Sequence, residues 1–303
     1  MTEKPLTEQK PISLREPGKE ELSLAEKMLT QQEAIVKLLQ DNDPDTVRMV
    51  KEQLAQGGET LVPGLQDLAR MDDERVSLHA REILTEIAVS GTDEDLLLLC
   101  HFFPDEGNFE NAYWMISRAL GATPDLAPYE RKIDQWGRRF HITLSGAVSD
   151  REKVLALADF MAGELCFRGN TDNYYCERNS LLPTAIDMRM GIPITLTLLY
   201  IMVARRAGMD VEGINLPGHF IARHGDVLFD PFHKGRILTR SDCGEILARQ
   251  NLKLRPSYFL AARPRQIILR ILANFLYVYD LHNETGKHDR VRTWMKALTR
   301  DDS

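Results

Sequence analysis

A histidine and an aspartate eleven residues apart, His219 and Asp230, bracket a segment that reads as a tight β-hairpin. His224-Gly225 sits at its middle, and glycine meets the positive-φ demand of a two-residue hairpin turn. With that turn, Arg223 faces Asp226, Ala222 faces Val227, Ile221 faces Leu228, Phe220 faces Phe229 and His219 faces Asp230. Each rung is apolar on apolar or cation on anion. Directly opposed residues hold their Cβ atoms about 4.5–5.5 Å apart, close enough for imidazole to meet carboxylate. A one-residue slip would undo every rung. A carboxylate on one ring nitrogen fixes the tautomer and leaves the other nitrogen as a base. The pair is therefore either an orienting couple for nucleophilic catalysis or a structural contact that closes the open end of the hairpin.

A nucleophile for such a couple is harder to find. Cys100, Cys166, Cys176 and Cys243 lie far apart with no C-x-x-C pair, which indicates neither a zinc ribbon nor a disulfide framework. Cys176 falls in a polar loop before Asn179, from which it could swing towards His219 or remain an ordinary loop thiol. Cys166 ends an apolar helical face and reads as core. Thr195 and Thr197 lie on the first turns of a helix opening at Pro193, where a buried threonine usually bonds back to its own helix. Asn170, Tyr174 and Asn179 either line a pocket over His219 or cap helices and brace the loop. His219, His224 and His233 place three imidazoles within 15 residues. Alternating strand faces and a turn keep such side chains apart, so no metal is expected, and no cofactor. No Gly-rich phosphate loop, Ser-centred elbow or nucleotide fingerprint is present.

The elements that must position these residues are mostly helical. Residues 1–21, with three prolines, scattered charge and no periodicity, read as a disordered tail without the apolar core of a signal peptide. Helical patterns follow from Leu22 to Leu39, from Val47 to a stop at Gly57-Gly58, from Leu61 to Leu68 and from Val76 to Ile87. Asp43, Val47 and Leu54 recur 29 residues later as Asp72, Val76 and Ile83. That echo suits HEAT-like stacked helix pairs, whose usual period is about 40, or a plain bundle. Pro104 to Gly107 marks a break. Helices are then expected over 109–120, 129–143 and 150–167, from an Asn179-Ser180 cap to Arg189, and from Pro193. From Val211 the texture becomes β-rich, with short pieces over 211–216, 219–223 and 227–229. Helices return over 241–248, 263–281 and 289–298. The order implies an α+β fold with residues 22–105 helical, a core over 106–250 and a helical segment over 251–303.

Composition narrows the function classes. The 303 residues carry a net charge of −7 and a pI near 5.7, with no dense Lys/Arg run, so nucleic-acid binding is not expected. The longest apolar run, Ile192 to Ala204, has 13 residues, short of the roughly 20 of a membrane span. These features fit a cytoplasmic protein.

The motifs together resemble a known family. Asn179 to Leu182, Arg189 to Leu196 with its Gly191-Ile-Pro193 core, Leu216 to Phe220 and Asp230 to Phe232 are similar to the SirB-type branch of the transglutaminase-like superfamily. Phe167 to Asn170 followed by Tyr174 or Tyr175 resembles its upstream signature. The resemblance spans roughly 109–235. It implies a papain-type core in which a buried helix packs on a small antiparallel sheet. In catalytic relatives a cysteine opens that helix, and His and Asp come from the strands. His219 and Asp230 match the latter two positions, whereas counting back from Gly208 puts Pro193 at the nucleophile position. Proline favours the first turn of a helix, where a thiol's pKa would be lowered, but it offers no nucleophile. The resemblance thus implies either a non-catalytic module that binds a peptide or protein partner, or an amide hydrolase or acyl transferase with His219 as base, Asp230 as its orienter and Cys176 or Thr195 as nucleophile.

Overall fold

A computed structural model describes residues 32–121 and 125–299. The expected tail over 1–21 and the start of the first helical pattern lie outside the described residues. The chain divides into two compact units, Met1–Ala88 and Val89–Ser303.

The first unit is built from α1 (Gln32–Leu39), α2 (Pro44–Gln56), α3 (Val62–Leu68) and the opening turns of α4 (Glu74–His101). Asp43 caps α2, its side chain accepting from the N–H groups of Asp45 and Thr46, which satisfies two orphan donors of the first turn. Leu39, Leu54, Leu65, Leu68, Val76 and Ile83 share one apolar cluster. In the second half of the 29-residue echo the capping carboxylate is Asp73, which accepts from Val76 N at 3.0 Å, one residue beyond Asp72. Helix α4 runs on to His101, well past the Ile87 end expected from its apolar spacing.

The second unit is mostly helical, with two small sheets. It comprises α5 (Phe109–Leu120), α6 (Ala127–Leu144), α7 (Asp150–Ala158), β1 (Arg168–Gly169), α8 (Leu182–Met188), β2 (Met190–Gly191), α9 (Pro193–Arg206), β3 (Glu212–Ile214), β4 (Ile221–His224), β5 (Val227–Asp230), β6 (Arg236–Leu238), α10 (Arg240–Ala248), α11 (Pro264–Leu281) and α12 (Thr285–Thr299). Every residue of α9 from Pro193 to Ala204 is buried, as befits a helix apolar on all sides. It packs against α6, the strands β3 and β4, and the turn after β5. β1 and β2 pair in parallel, and β3-β4-β5-β6 form an antiparallel meander. Strand alternation buries both faces of that meander. Phe220, Ala222 and Phe229 face the α9 core, while Ile214, Ile221, Leu228 and Leu238 join Cys243 and Leu247 of α10.

Several expectations are corrected. The β4–β5 hairpin pairs Ala222 with Phe229, Arg223 with Leu228 and His224 with Val227, so the turn residues are Gly225-Asp226, not His224-Gly225. Gly225 has φ +53°, and glycine at the first central position suits a II′ turn. The register differs from the expected one by two residues, an even number, so every side chain keeps its face. Arg223 meets Glu212 of β3 at 2.6 Å instead of Asp226. The helix opening at Asp150 gives way to a π-helical turn over Asp159–Glu164. Phe167 N–H then reaches back to Met161 O at 2.9 Å, which places Cys166 at φ +62° with its side chain in solvent, not in the core. Leu181, not Asn179 or Ser180, holds the N-cap position of α8. Strand β6 was not expected at all.

Candidate functional site

His219 is presented by a tight turn and received by a strand end. Leu216 O accepts from His219 N at 2.9 Å across Pro217-Gly218, and Gly218 has φ +78°. Proline then glycine at the two central positions is the sequence of a type II turn. Just beyond, Thr197 of α9 donates to Phe220 O at 3.1 Å and ties the entry of β4 to the buried helix. Asp230 closes β5, opposite Arg236 of β6. Extending the observed ladder makes His219 and Asp230 diagonal neighbours on one face, a separation that long side chains bridge.

The bridge is direct. His219 Nε2 lies 2.7 Å from Asp230 Oδ2, with side-chain exposures of 11% and 3%. The opposite oxygen of the carboxylate accepts from the backbone N–H of Phe232 at 3.0 Å and of His233 at 3.4 Å. His233 Nδ1 also reaches Oδ2 at 2.7 Å, although 60% of its side chain is exposed. Burial by itself would raise the Asp230 pKa, but the hydrogen bonds and charges of His219 and His233 outweigh it and hold the carboxyl below its ordinary value. An ionised carboxylate only accepts, so both imidazoles donate and Nδ1 of His219 remains free to act as a base. Burial pushes the Tyr200 hydroxyl up, and the Asp230 charge pushes it the same way.

His233 was not expected here, because strand alternation keeps imidazoles apart. That reasoning holds for His224, whose ring meets Asp210 O at 2.5 Å and Asp150 at 3.4 Å. It fails for His233 because the chain leaves the strand at Asp230 and winds a 3-10 turn over Pro231–His233. In such a turn residues three apart stack, which brings the second ring back over the carboxylate. The signal was Asp-Pro itself, a turn-initiating pair whose carboxylate caps the following N–H groups.

Among the described residues, the other candidates make no hydrogen bond to the His219 ring. Pro193 is buried at the first turn of α9. Thr195 does not bond back to its helix; its Oγ1 lies 2.9 Å from the Tyr113 hydroxyl, which donates to Ser180 O at 2.8 Å. Tyr113 has one proton, so the hydroxyl proton of Thr195 goes to Tyr113. Cys176 is half-buried at the start of the 3-10 turn Glu177–Ser180, and its carbonyl accepts from Asn179 N. Asn170 donates to Asn179 Oδ1 at 2.9 Å, and Asn179 donates to the carbonyls of Asn173 and Tyr174 at 2.6 and 3.0 Å. These amides brace the loop. The Tyr174 ring stands 6.0 Å from Phe232, which lies 6.0 Å from His219, so Tyr174 is one ring removed from the imidazole. Among the described residues, Asp230 is the one hydrogen-bond partner of the His219 side chain.

Residues 127–273 match the profile of the transglutaminase-like superfamily. A UPF0162 protein of Xylella fastidiosa is 36% identical over 149 residues, covering 46% of this chain and 52% of the relative. A UPF0162 protein of Pseudomonas aeruginosa is 31% identical over 186 residues, covering 59% and 66%. F-box only protein 21 of Mus musculus is 30% identical over 125 residues, 37% of this chain and 20% of that one. The chain spans about half the length of the Xylella relatives it matches. No solved structure matches. The buried helix, the small meander and the His219–Asp230 contact thus lie within residues 127–273, and the chain carries a transglutaminase-like superfamily domain there.

Proposed function

We propose that this domain is a non-catalytic module of the SirB-type branch, with a papain-type core that binds a peptide or a partner protein. The observation that carries the reading is Pro193 at the head of α9. A cysteine there would gain nucleophilicity from the helix N-terminus, whereas proline supplies neither thiol nor donor. The engaged hydroxyl of Thr195 supports the same reading. The flanking helical segments, 22–105 read as HEAT-like and 251–303, would offer further surface to a partner. A cytoplasmic location without nucleic-acid or membrane partners fits the acidic composition. Among the described residues no helix is long and apolar enough to cross a membrane.

The alternative is amide hydrolysis or acyl transfer with His219 as base, Asp230 as orienter and Cys176 or Thr195 as nucleophile. It draws on the buried pair and the free Nδ1. Alkylation with iodoacetamide, read by peptide mass, separates the two readings. On the binding-module reading Cys176 labels slowly, and at the same rate in His219→Ala. Fast, stoichiometric labelling of Cys176 that disappears in His219→Ala would overturn it in favour of the enzyme.

A further inference from the structure

We propose that His219, Asp230 and His233 form a binding site for one divalent transition-metal ion of the zinc type. Their ligand atoms, His219 Nε2, Asp230 Oδ2 and His233 Nδ1, all lie within 4.8 Å of one another. Two imidazoles and one carboxylate with positions left open form a donor set that suits zinc, cobalt or non-haem iron. The inference goes beyond the binding-module reading and does not depend on whether the domain turns over a ligand.

Three features point to an ion instead of a plain hydrogen-bond network. First, both rings aim a nitrogen at the same carboxylate oxygen. The buried pair of His219 and Asp230 is complete without the second ring. Second, the remaining oxygen of Asp230 is fixed by the N–H groups of Phe232 and His233. Outer hydrogen bonds of this kind orient a monodentate carboxylate ligand. Third, the site has an inner wall and an entrance, since Asp230 and His219 are buried while 60% of the His233 side chain is exposed.

The geometry needs a small adjustment. Ligand atoms about 2.0–2.1 Å from a tetrahedral ion stand roughly 3.3 Å from one another. Each 2.7 Å contact must therefore open by roughly 0.6 Å and the two ring nitrogens, within 4.8 Å of each other, must settle to the same spacing, for which the exposed His233 ring has room to move. On binding, the two protons held between the rings and the carboxylate move to Nδ1 of His219 and Nε2 of His233. The ion takes the vacated lone pairs. The open positions would hold water or an oxygen of a bound ligand.

Isothermal titration of the full, EDTA-treated chain with ZnCl2, together with visible absorption on adding CoCl2, tests the site. The expected result is one saturable equivalent per chain and the d–d bands of tetrahedral Co2+. His233→Ala should weaken binding by about a hundredfold or more. The circular dichroism of the metal-free chain should stay unchanged, and its melting temperature should fall by no more than the loss of the one hydrogen bond from His233 to Asp230 explains. His233→Gln keeps a donor towards Asp230 but lacks the ring, and it must lose the ion equally should alanine loosen the turn. No saturable binding, or equal binding by the wild type and both variants, would overturn the proposal.

Discussion

Thr195 and Tyr113 meet through their hydroxyls at 2.9 Å inside the core, and Tyr113 passes its own proton to the Ser180 carbonyl. This relay links α9 to α5 and to the turn before α8, so its role is to fasten elements and not to deliver a nucleophile. Thr195→Val keeps the shape and removes the donor. Tyr113 still reaches Ser180, so the expected loss is about 0.5–2 kcal/mol in urea unfolding. The alkylation rate of Cys176 should not change. A variant that unfolds outright would show that the relay is needed for folding in a way one hydrogen bond does not explain.

Asp230 sets a pH dependence whose sign follows from its environment. Burial opposes ionisation, but the two imidazoles outweigh it, so the folded pKa lies below the unfolded value of about 3.9. A depressed carboxylate contributes stability that is fully present above the unfolded pKa. That contribution is lost as pH falls through the folded pKa. Asp230→Asn should therefore cost about 2–4 kcal/mol at neutral pH, with the gap to wild type closing below about pH 4. Urea midpoints measured from pH 7 to pH 3 check this, and a gap that stays constant over that range would contradict the lowered pKa.

The sequence made the meeting of His219 and Asp230 legible even though it misplaced the turn between them. Pattern matching fixes which face a strand residue takes, because the side-chain period is two, and it fixes the rung only through the turn type. The even register error therefore spared the contact. Pro193 and the long apolar α9 were equally readable, since a helix-opening proline and an apolar run are local signals. What stayed hidden depends on local backbone that periodicity does not encode. The 3-10 turn that returns His233, the left-handed backbone of Cys166 that turns its side chain outward and the three-residue strand β6 are all of this kind. The extension of α4 past Gly91 was hidden for a different reason, since glycine lowers helix propensity without forbidding a helix.

The four thiols should react in an order set by their surroundings. Cys166 stands in solvent, Cys176 is half-buried, and Cys100 and Cys243 are buried. Burial pushes the Cys100 thiol up to about 12. Cys243 is raised by burial and by the nearby Asp242 and Asp230 charges. Since the thiolate is the reactive form, Cys166 should be modified first by a disulfide reagent such as dithiobis-nitrobenzoate and Cys176 more slowly. Cys100 and Cys243 should react only on unfolding. Peptide mass mapping against time gives the order, and native-state modification of Cys100 as fast as that of Cys166 would refute it.

Placing a thiol at the head of α9 tests the placement of the whole site. Pro193 stands at the first helical turn, where its missing N–H is one of the orphan donors, so Pro193→Cys should cost only about 1 kcal/mol or less. The helix is 14 residues long and its N-terminus favours negative charge. A thiol there should have its pKa lowered into roughly the 3.5–7.5 range seen at helix N-termini and beside imidazolium. Rapid alkylation by iodoacetamide at pH 6 is the expected outcome, well ahead of Cys176 in the same chain. Adding His219→Ala should slow that alkylation and raise the pH at which it begins, because an imidazole held by Asp230 would no longer pair with the thiolate. If the new thiol instead labels no faster than Cys176 at any pH, the opening of α9 does not lie against the His219 ring. The correspondence of Pro193 with a transglutaminase-type nucleophile would then fail, and with it the argument that this one residue decides between binding and catalysis.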